Sequence, residues 1–166
     1  IGPSAGGHLA ALAGTANRPG ELDVGEPSDV PSHVHAVVDY FGPTDFLQGD
    51  AHRTEDADPW NAPGSAVSRL IGMPIESAPD KVARANPITF IDGSEPPFLI
   101  IHGEKDGLVP LHQSQILHAA LQAAEVSSEL LVVKGGDHGY GGDFSQDEHS
   151  ESVRAFFRTH LRPDET

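Results

Sequence analysis

Three observations predict an α/β fold with a mostly parallel sheet flanked by helices. Short apolar runs and helical patterns follow one another as strand, helix, strand, helix. The central run, Phe98-Leu99-Ile100-Ile101, has no polar alternation, the pattern of a parallel strand covered on both faces. A length of 166 residues with 37% hydrophobic side chains suits one domain with a real core.

Taken in order, the first helix is expected from Ser4 to about Ala16. Gly6 and Gly7 fall in its first turn, where glycine is costly unless something must approach the backbone closely. Val34 to Phe41 reads as a buried strand. The stretch from Gly42 to Pro96 is rich in proline and glycine and includes the acidic, histidine-bearing run from Asp50 to Asp58. It reads as a lid-like excursion over about 44–96, with short helices, one near Pro79 to Ala85 that ends before Pro87. Pro97 to Ile101 is the second strand. A helix follows over Leu111 to Ala124, with Ile116, Leu117, Ala120, Leu121 and Ala124 in one stripe. Glu129 to Val133 is the third strand, also expected to be buried. Ser145 and Glu148, spaced as a capping box, announce a last helix whose stripe of Val153, Phe156, Phe157 and Leu161 faces inward.

Composition removes several function classes. With 25 acidic against 10 basic side chains and a net charge of −15, no polybasic surface exists for nucleic acid or anionic lipid. The absence of cysteine excludes disulfides, thiolate nucleophiles and zinc–thiolate sites. No apolar run approaches the ~20 residues that span a membrane. The chain opens at Ile1-Gly2-Pro3-Ser4, inside a motif and without methionine, and so reads as a fragment whose compartment is open.

Gly2-Pro3-Ser4-Ala5-Gly6 is a G-x-S-x-G pentapeptide followed at once by a helical pattern. In such an elbow the serine sits on a sharp turn where flanking side chains would clash. Its hydroxyl stands at a helix N-terminus, where developing negative charge is favoured. Alone, the pentapeptide is equally compatible with a glycine-rich helix cap. Two further positions sharpen the reading. Asp106 lies in His102-Gly103-Glu104-Lys105-Asp106-Gly107-Leu108-Val109-Pro110, directly after the apolar strand, where open α/β sheets place their ligands. His138 follows the last strand in Gly135-Gly136-Asp137-His138-Gly139-Tyr140. The order Ser4, Asp106, His138 puts a nucleophile, an acid and a base at the ends of strands, on one rim.

With these motifs the sequence resembles the C-terminal part of an α/β-hydrolase, close to the esterases of the acetyl-xylan and feruloyl esterase-related group. The resemblance is carried by Gly2 to Ala10, Tyr40-Phe41-Gly42-Pro43-Thr44-Asp45, Ala85-Asn86-Pro87-Ile88-Thr89, Pro96 to Gly103 and Gly135 to Gly139, in the expected order. It implies Ser4 as nucleophile, His138 as general base and then acid, Asp106 as the group orienting His138, and the Ala5 backbone N–H as an oxyanion donor. It implies hydrolysis of a small ester or acylated carbohydrate through an acyl-enzyme, with no metal or organic cofactor. The resemblance also implies an N-terminal half with further strands and a His-Gly-Gly-Gly-type loop, neither of which is in the sequence. The strand leading into Ser4 is reduced to Ile1, and the strand at 34–41 is left with an unpaired edge. Two other readings therefore stand beside the esterase. One is a prolyl-oligopeptidase-like peptidase, against which Ala5 counts because those enzymes carry an aromatic residue after the serine. The other is a non-catalytic fragment completed by a partner or a second copy.

The remaining candidates carry blander readings. Val109 and Tyr140, beside triad positions, are expected to line the acyl or alcohol pocket. His102 is expected to hold the Asp106 loop by hydrogen bonds, and His8 to pack or bond locally. His33 and His35, with Asp29 or Glu26, have metal-ligand spacing but read as solvated residues at a strand entrance. His52 with Glu55, Asp56 and Asp58 reads as a solvated loop. Trp60 and Met73 belong to the excursion.

Overall fold

The computed structural model of the chain describes residues 1–16, 22, 32–145 and 148–161. At its centre is a parallel sheet of β1 (Gly2–Pro3), β2 (Val37–Tyr40), β3 (Phe98–Gly103) and β4 (Ser128–Val133), adjacent in that order. The helices are α1 (Ala5–Thr15), α2 (Phe46–His52), α3 (Ala66–Ile71), α4 (Pro79–Ala85), α5 (His112–Ala123) and α6 (Glu148–Leu161).

β3 is buried along its whole length because both of its faces are covered. Strand side chains alternate between faces. Phe98 and Ile100 join Val37 and Val126 under Ala11 of α1 and Leu117 and Leu121 of α5. Leu99 and Ile101 join Val38 and Val133 under Val153, Phe156 and Phe157 of α6. Burying each such side chain contributes about 1.5–3 kcal/mol, so the two-sided strand is the main apolar anchor of the domain.

Several expectations need correction. The strand ahead of Ser4 is not reduced to Ile1: Gly2 and Pro3 pair in parallel with Asp39 and Tyr40, so the edge of β2 is partnered there. β2 is shorter than 34–41. It starts at Val37, where the N–H reaches the Pro97 carbonyl, and it ends as Phe41 turns to φ 43°. β3 runs on to Gly103 because His102 and Gly103 still pair with Val132 and Val133. β4 is not a buried strand: Glu129 and Val132 face solvent, and among the described residues only β3 pairs with it. Leu161 does not face inward but is 48% exposed, one turn beyond the Phe156–Phe157 contact. Glu148 is the first residue of α6 and Ser145 ends a 3₁₀ turn, with residues 146–147 between them outside the described residues.

The segment between β2 and β3 is densely structured. Asp45 caps α2 by accepting from the Leu47 N–H, and Ser65 caps α3 by accepting from Ser68. Gly72, at φ 89°, closes α3. α4 spans the expected Pro79–Ala85, and Asn86 caps the 3₁₀ turn that begins at Pro87. This segment has its own core of Phe46, Trp60, Ile71, Ile75, Ala78 and Val82, with Val109 added from the loop after β3. Both oxygens of Asp50 accept backbone N–H groups, from Trp60 at 2.6 Å and Asn61 at 3.0 Å, which fixes the Trp60 turn onto α2.

One polar group sits deep in the sheet. Asp39 of β2 is fully buried; its Oδ1 accepts from the Gly42 N–H at 2.9 Å, and no partner reaches Oδ2. Burial pushes its carboxyl up from 3.8 to about 6, against the opposing Gly42 bond. The folded state therefore binds this proton more tightly than the unfolded chain. Its contribution to stability is greatest below about pH 4 and is lost as pH rises through about 6. A difference of about two units corresponds to roughly 3 kcal/mol. Asp39→Asn, which keeps the Gly42 acceptor but cannot ionise, should gain stability relative to the parent at pH 8 and much less at pH 4. Urea denaturation at the two pH values measures this.

Candidate active site

The nucleophile elbow is built by three neighbours. β1 ends at Pro3, the Ser4 N–H donates to the Tyr40 carbonyl at 2.8 Å, and the Ser4 carbonyl accepts from His8 N–H at 3.0 Å as the first bond of α1. Ser4 is thereby held at φ 54°, ψ −121°, a conformation rare for a residue with a side chain. Its hydroxyl makes no helix-capping bond and so is free to point off the C-terminal end of the sheet. The glycines differ in what they do. A Cβ on Gly2 would run into the Gly6 carbonyl, whereas one on Gly6 would only touch Pro3 Cδ at 3.4 Å. The tight position is Gly7, where a Cβ would strike the Asp39 carboxylate and the Tyr40 carbonyl. The expected clash at both flanks of Ser4 thus holds for Gly2 alone. Gly7 is small because α1 crosses β2 there.

Ser4, Asp106 and His138, far apart in sequence, meet at this rim. Ser4 Oγ lies 2.9 Å from His138 Nε2, and His138 Nδ1 lies 2.8 Å from Asp106 Oδ2. The Asp106 side chain is fully buried, and the Leu108 and Val109 N–H groups donate to its Oδ1 at 2.9 and 2.8 Å. Burial would raise this carboxyl, but the bonds from His102, His138 and Val109 hold it far below the ordinary carboxylate range. These contacts favour its ionised form. A carboxylate on Nδ1 fixes the proton there and leaves the Nε2 lone pair facing the serine hydroxyl. Ala5 opens α1, so its N–H has no acceptor within the helix and lies beside Ser4 on the cleft wall.

Two contacts that sequence reasoning missed support the histidine. Asp137 Oδ1 accepts from the His138 N–H at 2.7 Å and the Gly107 N–H at 3.3 Å, tying the loop after β4 to the loop after β3. The Phe41 ring lies 4.7 Å from the His138 ring, its backbone bonded to the Ile101 carbonyl. Asp137 is adjacent to His138 in sequence and was open to inference. Phe41 carried no signal, because only the positive φ after β2 brings it across.

A cleft of about 990 Å³ opens over Ser4 and His138. Phe46, Trp60, Val67 and Leu70, all from the segment between β2 and β3, make its apolar wall. Val109 and Tyr140 both line it, Val109 buried and Tyr140 64% exposed, where the neighbouring Asp137 carboxylate pushes the Tyr140 hydroxyl up. Asp56 and Asp58 are exposed in a loop, as the sequence suggested, and that loop borders this cleft. His52 is exposed and stacks on His112, ring centroids 3.6 Å apart. His8 is buried and donates Nδ1–H to the Pro43 carbonyl at 2.9 Å; burial pushes its imidazole down despite that bond. Met73 is exposed. His33 and His35 are exposed ahead of β2 with rings 4.9 Å apart, while Asp29 and Glu26 lie outside the described residues. Among the described residues no three His, Asp or Glu side chains gather as a metal ion would need.

The chain is similar to known proteins in both sequence and fold. The family model described as BD-FAE matches residues 1–121. Esterase LipC of Mycobacterium tuberculosis is 35% identical over 144 residues, 84% of this chain and 34% of the relative. Esterase LipQ of the same organism is 36% identical over 124 residues, 74% of this chain and 28% of the relative. The chain therefore spans about a third or less of the curated relatives it matches. Among solved structures, a bifunctional GH43-CE protein of Bacteroides eggerthii superposes with TM-score 0.79 at 36% identity, covering 95% of this chain and 21% of that one. A truncated form of carbohydrate esterase from gut microbiota superposes with TM-score 0.76 at 31% identity, covering 97% and 59%.

The elbow geometry separates the two helical glycines. Gly7→Ala should lower stability by about 1–3 kcal/mol or more, as overpacking does. Gly6→Ala, with room for its Cβ inside a helix, should be neutral or gain up to ~1 kcal/mol. Thermal denaturation of the two variants beside the parent decides it.

Proposed function

The chain belongs to the BD-FAE family and has the α/β-hydrolase fold, and we propose that it hydrolyses carboxylic esters with a Ser4–His138–Asp106 triad. The observation carrying the proposal is the continuous hydrogen-bond line from Ser4 Oγ through His138 to a buried, anionic Asp106, at the mouth of a cleft.

His138 Nε2 takes the Ser4 proton as Oγ attacks the ester carbonyl, giving a tetrahedral oxyanion. The Ala5 N–H, at the positive end of α1, is the oxyanion donor this chain supplies. Asp106 orients the ring and stabilises the imidazolium. The ester C–O bond then breaks, the alkoxide leaves with the proton from Nε2, and an acyl group remains on Ser4. Water attacks that acyl group while His138 again serves as base, and Ser4 is regenerated with release of the acid. No step calls for a metal or an organic cofactor.

The apolar wall from Phe46 to Leu70 suits the hydrophobic part of an ester, and that wall belongs to the segment at about 44–96, which acts as a lid over the triad. Val109 and Tyr140 sit where they contact the acyl or alcohol portion. Among the described residues lining the cleft there is no lysine or arginine, which fits a small neutral ester or an acylated carbohydrate better than an anionic substrate.

The test is hydrolysis of p-nitrophenyl acetate by the purified chain beside Ser4→Ala. Because ten histidines give an imidazole background, the difference between the two proteins is what counts. Ser4→Ala should remove the enzymatic rate, and Asp106→Asn should lower kcat by about 10⁴-fold by releasing the tautomer. Equal rates for parent and Ser4→Ala in folded samples would contradict the proposal.

A further inference from the structure

Asp106 serves a second imidazole. His102, at the end of β3, is fully buried on the side of the carboxylate away from the cleft. Its Nε2 lies 2.8 Å from the Val109 carbonyl and 3.3 Å from Asp106 Oδ2, the same oxygen that accepts from His138 Nδ1 at 2.8 Å. Its Nδ1 lies 2.6 Å from Ser114 Oγ on α5. Two oxygen acceptors face Nε2, so the proton belongs there. Ser114, whose hydroxyl can donate, completes Nδ1. The ring is satisfied in one neutral tautomer and no other: with the proton on Nδ1, the Nε2 lone pair would oppose both a carbonyl and a carboxylate.

We propose that His102 is a positioning residue for the hydrolytic reaction. Its Nε2–H, bonded to the Val109 carbonyl, also lies 3.3 Å from Asp106 Oδ2; the partial positive charge there biases the rotation of the carboxylate and limits how strongly Asp106 stabilises the His138 imidazolium, and it thereby sets the pH range in which His138 works as a base. The inference rests on the triad reading of the same site, but it can be tested without turnover.

The physical reason is competition at one oxygen. A carboxylate oxygen that already accepts one N–H has less negative potential to offer a second. Withdrawing the His102 N–H from beside Oδ2 should leave more of the Asp106 charge for the imidazolium, so the protonated form of His138 should persist to higher pH. The other ionisable groups facing this cluster are Asp39 from β2, Asp137 beside His138, and Tyr140, which feels the Asp106 charge. Asp39 itself changes charge at about 6, so a rate profile alone would mix the two groups. A direct reading of the His138 ring avoids that.

The isosteric pair His102→Gln and His102→Asn separates the two nitrogens. The Gln amide nitrogen occupies the place of Nε2 and keeps a donor to Val109 and Asp106. The Asn amide nitrogen occupies the place of Nδ1 and keeps only the Ser114 contact. The experiment is an NMR titration of the ¹⁵N-labelled His138 ring in the folded parent and both variants, with kcat/KM against pH on p-nitrophenyl acetate alongside. In His102→Asn the His138 titration, and the acid limb of kcat/KM with it, should move up by about half a pH unit or more, while His102→Gln stays within about 0.2 of the parent. Should His102→Asn fail to fold, Ser114→Ala, which frees Nδ1 and unlocks the tautomer, should give a smaller shift of the same sign. An unchanged or downward His138 titration, or equal shifts in Asn and Gln, would overturn the proposal. A shift in the ring titration with no Ser4-dependent hydrolysis would leave the His102 inference standing and remove the esterase reading instead.

Discussion

The site depends on keeping one buried carboxylate charged. Asp106 has no solvent at its side chain, and an anion there survives only if its oxygens are filled with donors. Oδ1 takes two backbone N–H groups from its own loop, and Oδ2 takes the His138 imidazole with the His102 ring 3.3 Å away. The backbone pair shapes the loop after β3, and the imidazoles reach outward, His102 into the α5 side and His138 into the cleft. Removing the charge would weaken all three hydrogen bonds at once. The loop, the tautomer of the base and the approach of that base to Ser4 are therefore consequences of one satisfied anion.

The sheet supplies the frame in which this happens. Because β3 is buried on both faces, its C-terminal end is a fixed platform between α1 and α5 on one side and α6 on the other. β2 lies beside it in parallel and holds Ser4 through the Tyr40 carbonyl, so nucleophile and acid are set by adjacent strands. Like Ser4, which follows β1, His138 arrives from an edge strand among the described residues, β4. It is also the residue with the most lateral support, from Asp137 below and Phe41 alongside. The excursion between β2 and β3 has its own core and gives the cleft its apolar wall, and Val109 joins that core to the Asp106 loop.

Much of this was legible in the sequence, for physical reasons that differ by residue. The run Phe98 to Ile101 announced a doubly covered strand, and the helical stripe ending at Leu121 announced what covers one face. Ser4, Asp106 and His138 were legible because each follows a strand end and the types form a nucleophile, acid and base. What was not legible came from three-dimensional coincidence. Nothing local says that Gly2 and Pro3 suffice to pair with β2, or that Gly7 rather than Gly6 is the crowded glycine, since the obstruction is Asp39 from another strand. Leu161 fits the stripe by spacing but lies past the end of the surface that α6 covers. Val132 is as apolar as Val133, yet strand alternation and an open flank leave it in solvent. The link from His102 to Ser114 joins a strand end to a helix, and no spacing rule encodes it.

The most direct test of the account is labelling with a fluorophosphonate, which reacts with a serine only when a neighbouring base and oxyanion donor activate it. The folded chain is treated with the probe, its intact mass is measured, and the adduct is mapped by peptide sequencing. The account predicts a single adduct on Ser4, formed by the native chain, lost on unfolding and lost in His138→Ala. No adduct on the folded chain, or an adduct spread over other serines, would contradict the claim that these residues assemble a working triad.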